Sequence, residues 1–261
     1  MRLIDIGANL ASNQFKGDRD EVLARAREAG VERLVITGSD VDGSGEAADL
    51  AEAAPATWST AGVHPHHAKD LDGAGLERSA SLRGRPRVVA VGECGLDYYR
   101  NYSPREDQLR AFEAQLDLAA RSGLPLFLHQ RDAHDDFLAM LRTFWARLPG
   151  GAVVHCFTGG PAQAEAYLEL GCHLGITGWV CDERRGDALR EAVPRIPADR
   201  LMVETDAPYL LPRTIRPRPA TRRCEPMHLP WGVREVAALR GEDPEEVAAS
   251  SWSVAERFFR R

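Results

Sequence analysis

Residues 88–99 read VVAVGECGLDYY. Val88, Val89, Ala90 and Val91 form an unbroken apolar run, the pattern of a strand buried on both faces of a parallel sheet. Glu93 follows two residues later, and a carboxylate at the end of such a strand is costly unless it is paired or holds a cation. The stretch predicts a strand over 88–93 that delivers a charged group to a site.

Seven further runs of the same kind flank it. They are 2–6 (RLIDI), 32–37 (ERLVIT), 57–63 (TWSTAGV), 125–129 (PLFLH), 151–156 (GAVVHC), 172–177 (CHLGIT) and 201–205 (LMVET). Helical patterns lie between them at 18–29, 104–121, 132–146 and 161–170, and two more follow the last strand at 227–240 and 243–260. Asp18, Ser103 followed by Pro104, and Asp243 followed by Pro244 read as helix starts. Gly30, Gly123 and Gly171 read as helix ends, each just before a strand. Eight strands alternating with helices predict an α/β protein, a (β/α)8 TIM barrel spanning 1–261 as a single domain with additional C-terminal helices. A doubly wound open sheet is the alternative, but no GxGxxG follows the first strand.

Composition agrees with a globular chain: 261 residues, 44% hydrophobic and 28% charged. No apolar run approaches the roughly 18 residues that span a bilayer, and MRLIDIGANL lacks the h-region of a signal peptide. The expectation is a cytoplasmic protein with no membrane contact, and a monomer. Cys94, Cys156, Cys172, Cys181 and Cys224 form no CxxC pair, so packing is the expected role for most of them. A net charge of −6 means that any polyanion must be met by a local patch.

A barrel of this class carries its site at the C-terminal ends of the strands. Asp5, Gly7, Thr37, His64, Glu93, His129, His155, Gly178 and Asp206 fall there. Each alone has an ordinary explanation, such as a helix cap or an ion pair between Glu93 and Arg131. Glu93, His129, His155 and Asp206, each closing a different strand, together read as a metal site. Imidazoles with carboxylates suit Zn²⁺, Mn²⁺ or Fe²⁺, and carboxylate-rich sites accept Mg²⁺. Cys94 and Cys156 alternate away from their ligand neighbours if the strands are regular. A bound metal makes hydrolysis the default chemistry, with Asp206 as general base.

The segments DIGANLASNQF, STAGVHPH, VGECGLDYYRN, LHQRDAH, HCFTG, GITGWVCDERRG and ETDAPYLLP resemble the successive signatures of the TatD-type metal-dependent deoxyribonucleases, within the amidohydrolase-like barrels. The resemblance implies a Mg²⁺-dependent 3′–5′ exonuclease on ends of single-stranded DNA and RNA, linked to repair of oxidative DNA damage, with Mn²⁺ or Zn²⁺ as substitute metals. It implies Glu93 as the shared metal carboxylate, His129 and His155 as ligands, and Asp206 as ligand or water-activating base, so that Asp206 and Glu93 are the catalytic pair. His64 and His66 would line the substrate pocket. The wider superfamily ends its first strand in HxH, where this chain has Gly7 and Asn9, which supports the TatD subgroup. Cys224 stands before Glu225 and Pro226, where the family tends to have Asn.

Phosphate contacts need local positive charge. Arg131 follows His129 and is expected to fork onto a phosphate or a carboxylate. The loop 211–223 brings Arg213, Arg216, Arg218, Arg222 and Arg223 after Asp206, and Arg184 and Arg185 lie in the loop after the seventh strand. Trp179, Tyr98 and Tyr209 stand where bases stack or where loops pack. His67, His134, His173 and His228 read as surface or structural. Two other functions stay open on the sequence: hydrolysis of an ester or amide, such as deacylation of D-aminoacyl-tRNA, and a non-catalytic nucleic-acid-binding barrel.

Overall fold

The computed structural model describes residues 1–260. Strands β1 (Leu3–Ala8), β2 (Val31–Ile36), β3 (Thr57–Ala61), β4 (Val88–Asp97), β5 (Leu126–Arg131), β6 (Ala152–Val154), β7 (His173–Ile176) and β8 (Leu201–Val203) form one sheet in sequential order. Every neighbouring pair is parallel. The ring closes at the C-terminal rim, where Ala8 bridges Ala207, Asn9 N–H donates to Ala207 O at 2.7 Å and Asp206 N–H to Gly7 O at 2.8 Å. Asp5, fully buried, braces the same seam by accepting from the Thr205 N–H and hydroxyl. This is the expected (β/α)8 barrel.

Helices α1 (Arg19–Glu28), α2 (Val41–Ala53), α3 (Gly73–Leu82), α4 (Arg105–Ser122), α5 (His134–Phe144), α6 (Pro161–Leu170), α7 (Asp187–Ala192) and α8 (Leu229–Arg240) surround the strands. A last helix, α9 (Pro244–Phe258), starts on a capping box between Asp243 and Glu246. One apolar cluster joins Ile4 and Ile6, Ala90, Phe127, Val153 and Met202 to Val254 and Ala255. Strands that are not neighbours meet only through the lumen, so these side chains fill the barrel and α9 plugs its lower end. The outer cluster sets Val91, Cys94, Leu126, Leu128, Val154 and Leu174 against helical residues such as Phe112, Phe137 and Tyr167.

Several local expectations are corrected. β4 does not stop at 93 but runs to Asp97. Its pairing with β5 skips from Gly92 to Cys94, leaving Glu93 as the extra residue of a bulge. Gly92, at φ 141°, makes the bulge feasible: a Cβ there would lie 2.1 Å from Phe127 O. Asp18 occupies the cap position of α1 without capping it, because its carboxylate is held by Arg223 and Arg25. Ser103 binds Lys69 N–H and His66 O instead of capping α4, which starts at Arg105 after Pro104. The regular part of β6 ends at Val154, so His155 and Cys156 lie beyond the ladder and Cys156 has φ 44°.

Candidate active site

The bulge turns Glu93 into the mouth of the barrel. The other strands supply their groups by alternation: Phe127 then His129 on β5, Val153 then His155 after β6, and Met202 then Glu204 after β8 each step from the lumen core to its upper layer. Glu93 is buried, and one oxygen, Oε1, meets three imidazole nitrogens: His155 Nε2 at 2.7 Å, His129 Nδ1 at 3.1 Å and His64 Nε2 at 3.3 Å. Burial by itself would raise the Glu93 carboxyl, yet the imidazoles of His64, His155 and His129 gathered on it hold it well below the usual range.

Two acids beyond the expected set complete the cluster. Asp97 faces the mouth four residues after Glu93 on the same strand, accepts Tyr99 and Arg100 N–H at Oδ1, and sets Oδ2 2.8 Å from His66 Nε2 and 3.3 Å from His129 Nε2. Its carboxyl is held below the usual range by His129 and His66, against the opposite pull of burial. Glu204 accepts the Cys156 N–H through Oε1 and lies 3.4 Å from His155 Nδ1 through Oε2. The strand period of two marks both acids in the sequence, Asp97 from Glu93 and Glu204 from Met202. Caught between Glu93 and Glu204, His155 is raised well above the ordinary imidazole value in spite of burial.

The first strand gives a steric reason for glycine at the first of the two HxH positions. A Cβ on Gly7 would stand 2.3 Å from Glu204 Oε2 and 2.9 Å from Phe127 Cζ. The space in which a side chain at position 7 would enter the mouth is filled by the Glu204 carboxylate.

These donors fit a divalent cation. One donor atom each from His64, Glu93 and His129 lies within 4.8 Å of the others. His129 Nε2, His155 Nδ1 and Glu204 Oε2 are buried with no hydrogen-bond partner, although each faces an opposite group. Three ring nitrogens on one oxygen cannot all be well served by protons, whereas a cation among them satisfies lone pairs on both sides. His64 differs from the other two rings. Its Nδ1 accepts the His66 N–H at 3.0 Å, and burial holds it neutral, well below the usual imidazole value. The proton therefore sits on Nε2, which makes His64 a donor into the mouth.

Asp206, at φ 55°, makes no side-chain hydrogen bond among the described residues and interacts electrostatically with His155, Glu93, Glu204 and His129. Burial pushes its carboxyl up to about 7. His66 sits beside exposed Tyr102, with ring centroids 4.7 Å apart. Arg131, at the end of β5, stacks its guanidinium 4.0 Å above the ring of exposed Tyr99 and has no carboxylate partner among the described residues. The ion pair of Glu93 with Arg131, the ordinary alternative to a metal site, does not form among the described residues.

The arginine loop divides in two. Arg213 is fastened to Glu183 and Asp182, and Arg223 to Asp18, Glu225 and Gln14 O. Arg216 bonds carbonyls of its own loop, and Arg184 and Arg185 both hold Asp182. Arg216, Arg218 and Arg222 are the exposed arginines of the loop without a carboxylate partner among the described residues, and of these Arg216 is tied to loop carbonyls. Trp179 is half-buried, its N–H on Arg185 O, Tyr98 binds Asp136, and Tyr209 is exposed. Tyr99 and Tyr102, absent from the expectations, are the other exposed aromatics of this rim. Among the histidines read as structural, His228 is buried and accepts Glu225 N–H, and His134 Nδ1 meets the Tyr167 hydroxyl. Cys94, Cys172, Cys181 and Cys224 are buried and Cys156 partly so.

A parallel barrel with imidazoles and carboxylates gathered at the strand ends is the architecture of a metal-dependent hydrolase. The family model "TatD related DNase" matches residues 4–260, and the chain belongs to that family. It is 55% identical to the 3′-5′ ssDNA/RNA exonuclease TatD of Erwinia billingiae over 99% of both chains. It is 50% identical to the protein of the same name from Salmonella typhimurium, over 98% of both. Among solved structures, the TatD homologue YJJV of Escherichia coli K12 superposes with a TM-score of 0.92 at 29% identity, covering 100% of this chain and 98% of that one. A TatD family hydrolase from Entamoeba histolytica gives 0.87 at 25% identity, with coverage of 100% and 98%.

Proposed function

We propose that this protein is a metal-dependent exonuclease that hydrolyses phosphodiester bonds of single-stranded DNA and RNA from the 3′ end. The observation that carries the reading is the convergence of His64, His129 and His155 on one buried Glu93 oxygen at the mouth of a TatD-family barrel. Substrate and polarity rest on relatives of that name aligned along nearly the full chain. The match over 4–260 supports a single catalytic domain over residues 1–261.

Glu93, His129, His155 and Asp206 would hold the cation, with Mg²⁺ as the proposed metal and Mn²⁺ or Zn²⁺ as substitutes. When bound, it supplies positive charge to the phosphate and acidity to water. Glu204 and Asp97 orient His155 and His129 through their second nitrogens. Asp206, poised near neutrality by burial, accepts the proton of the attacking water. His64 donates Nε2–H to a non-bridging phosphate oxygen, and Arg131 pairs with a phosphate while the exposed Tyr99 and Tyr102 rings meet the bases. The setting proposed is the cytoplasm, as a monomer, in repair of oxidatively damaged DNA. Among the described residues no helix is long and apolar enough to cross a membrane.

The test is a 5′-labelled single-stranded oligonucleotide incubated with Mg²⁺. Progressive shortening from the 3′ end by the wild type and its loss in Glu93→Gln is the expected result. No digestion with Mg²⁺ or Mn²⁺ while D-aminoacyl-tRNA turns over would overturn the reading in favour of ester hydrolysis. Binding without any turnover would favour a non-catalytic barrel.

A further inference from the structure

Beside the catalytic mouth, the loops after β7 and β8 enclose a cleft of about 550 Å³. Its lining carries five guanidinium groups, from Arg184, Arg185, Arg213, Arg218 and Arg222, against one carboxylate, Asp182. That carboxylate is already engaged by Arg184, Arg185 and Arg213. The wall is fixed at both ends by the ion pairs of Arg213 and Arg223, so the span that bears Arg218 and Arg222 is anchored to the barrel at each end. Arg218 and Arg222, the two exposed cations of this anchored span that line the cleft without a carboxylate partner among the described residues, form a local seat for anions in a chain of net charge −6. The cleft is tied to the site through the chain: its wall begins at Leu210, directly after Tyr209, whose N–H binds Asp206 O at 2.9 Å. Half-buried Trp179, with Arg185 stacked 4.4 Å above its ring, lies in the same lining and offers an aromatic surface.

We infer that this cleft is the track for the single strand on the 5′ side of the scissile bond, with Arg218 and Arg222 on its phosphates. The inference rests on the exonuclease reading above and assigns the two sides of the mouth. Arg131 and Tyr99, on the β4–β5 side, face the departing 3′-terminal nucleotide. The β7–β8 cleft carries the strand that remains.

The experiment is fluorescence anisotropy of a 5′-fluorescein oligothymidylate of about twelve nucleotides, titrated without metal across a range of salt concentrations. Each lost phosphate contact on a single strand flattens the log–log salt slope by about 0.7, so Arg218→Ala/Arg222→Ala lowers it by about 1.4 and weakens binding about 10-fold near 0.1 M salt. Each single variant carries half of the slope change, which keeps the test available should the double variant be unstable. Arg142→Ala/Arg195→Ala removes equal charge from exposed positions at the far end of the barrel and keeps the wild-type slope. A double loop variant with wild-type affinity and slope overturns the cleft assignment, as does an equal loss in the far-end control. Wild-type protein that binds but never shortens the strand with Mg²⁺ sinks the exonuclease reading instead.

Discussion

Replacing Gly7 by alanine places a methyl group 2.3 Å from Glu204 Oε2 and 2.9 Å from Phe127 Cζ. Gly7 is not among the residues with positive φ, so the backbone tolerates alanine and the whole cost comes from the collision. Phe127 is fully buried in the lumen core and has no room to retreat. Glu204 is the softer partner, but reaching ordinary contact moves its carboxylate by about 1 Å, and overpacking of this size costs about 1–3 kcal/mol. The same move strips the Cys156 N–H of its acceptor, adding about 1 kcal/mol or more for a buried donor left unpaired. A total of about 2–4 kcal/mol in a chain of this length lowers Tm by about 4–12 °C. Calorimetry or circular dichroism measures the shift, and turnover falls with it because Glu204 faces His155 Nδ1. Glu204→Ala removes the obstacle, so Gly7→Ala/Glu204→Ala is more stable than the sum of the single effects. A Gly7→Ala protein that melts within about 2 °C of wild type, or strict additivity in the cycle, would refute the reasoning.

Three further outcomes follow from the site. Adding Mg²⁺ or Mn²⁺ to chelator-treated protein raises Tm in wild type and not in Glu93→Gln, whose exonuclease rate drops at least about 100-fold; an equal thermal shift in both would remove Glu93 from the metal site. Burial raises the Asp5 carboxyl to about 7, above about 3.9 in the unfolded chain. The folded state therefore holds this proton more tightly, and the contribution to stability is complete below about pH 4 and fades as pH rises through 7. Asp5→Asn flattens the chemical-denaturation profile over that window, and an unchanged slope would contradict the assignment. Arg131→Ala raises KM for oligonucleotides about 10-fold and leaves Tm within about 2 °C, since the guanidinium is stacked on Tyr99 and holds no buried charge; an unaltered KM with a large Tm loss would make it structural.

Alternation and punctuation alone placed eight strands and the parallel barrel, because a strand buried on both faces leaves a continuous apolar run that a helix seldom mimics. They also carried His129, His155 and Glu93 to one rim, since a barrel collects strand ends there whatever the loops do. Helices α2 and α3 are not legible in the sequence, because Gly43, Gly45, Gly73 and Gly75 mask the helical pattern that packing on the barrel enforces. Asp97 and Glu204 lie on the period of two from Glu93 and Met202, but the glycines around Glu93 mask the continuation of β4 and Asp206 is the more conspicuous acid after β8.

Tertiary structure alone decided the rest. The bulge that aims Glu93 inward depends on pairing with β5, which no local pattern encodes. The division of the loop arginines into anchors and free charges depends on Asp18, Glu183 and Glu225, two of which lie near 200 or 30 residues away from their partners. The vacancy at Gly7 is the plainest case. In the sequence it is a missing ligand; in the barrel it is room for Glu204, because strands β1 and β8, at opposite ends of the chain, become neighbours when the ring closes.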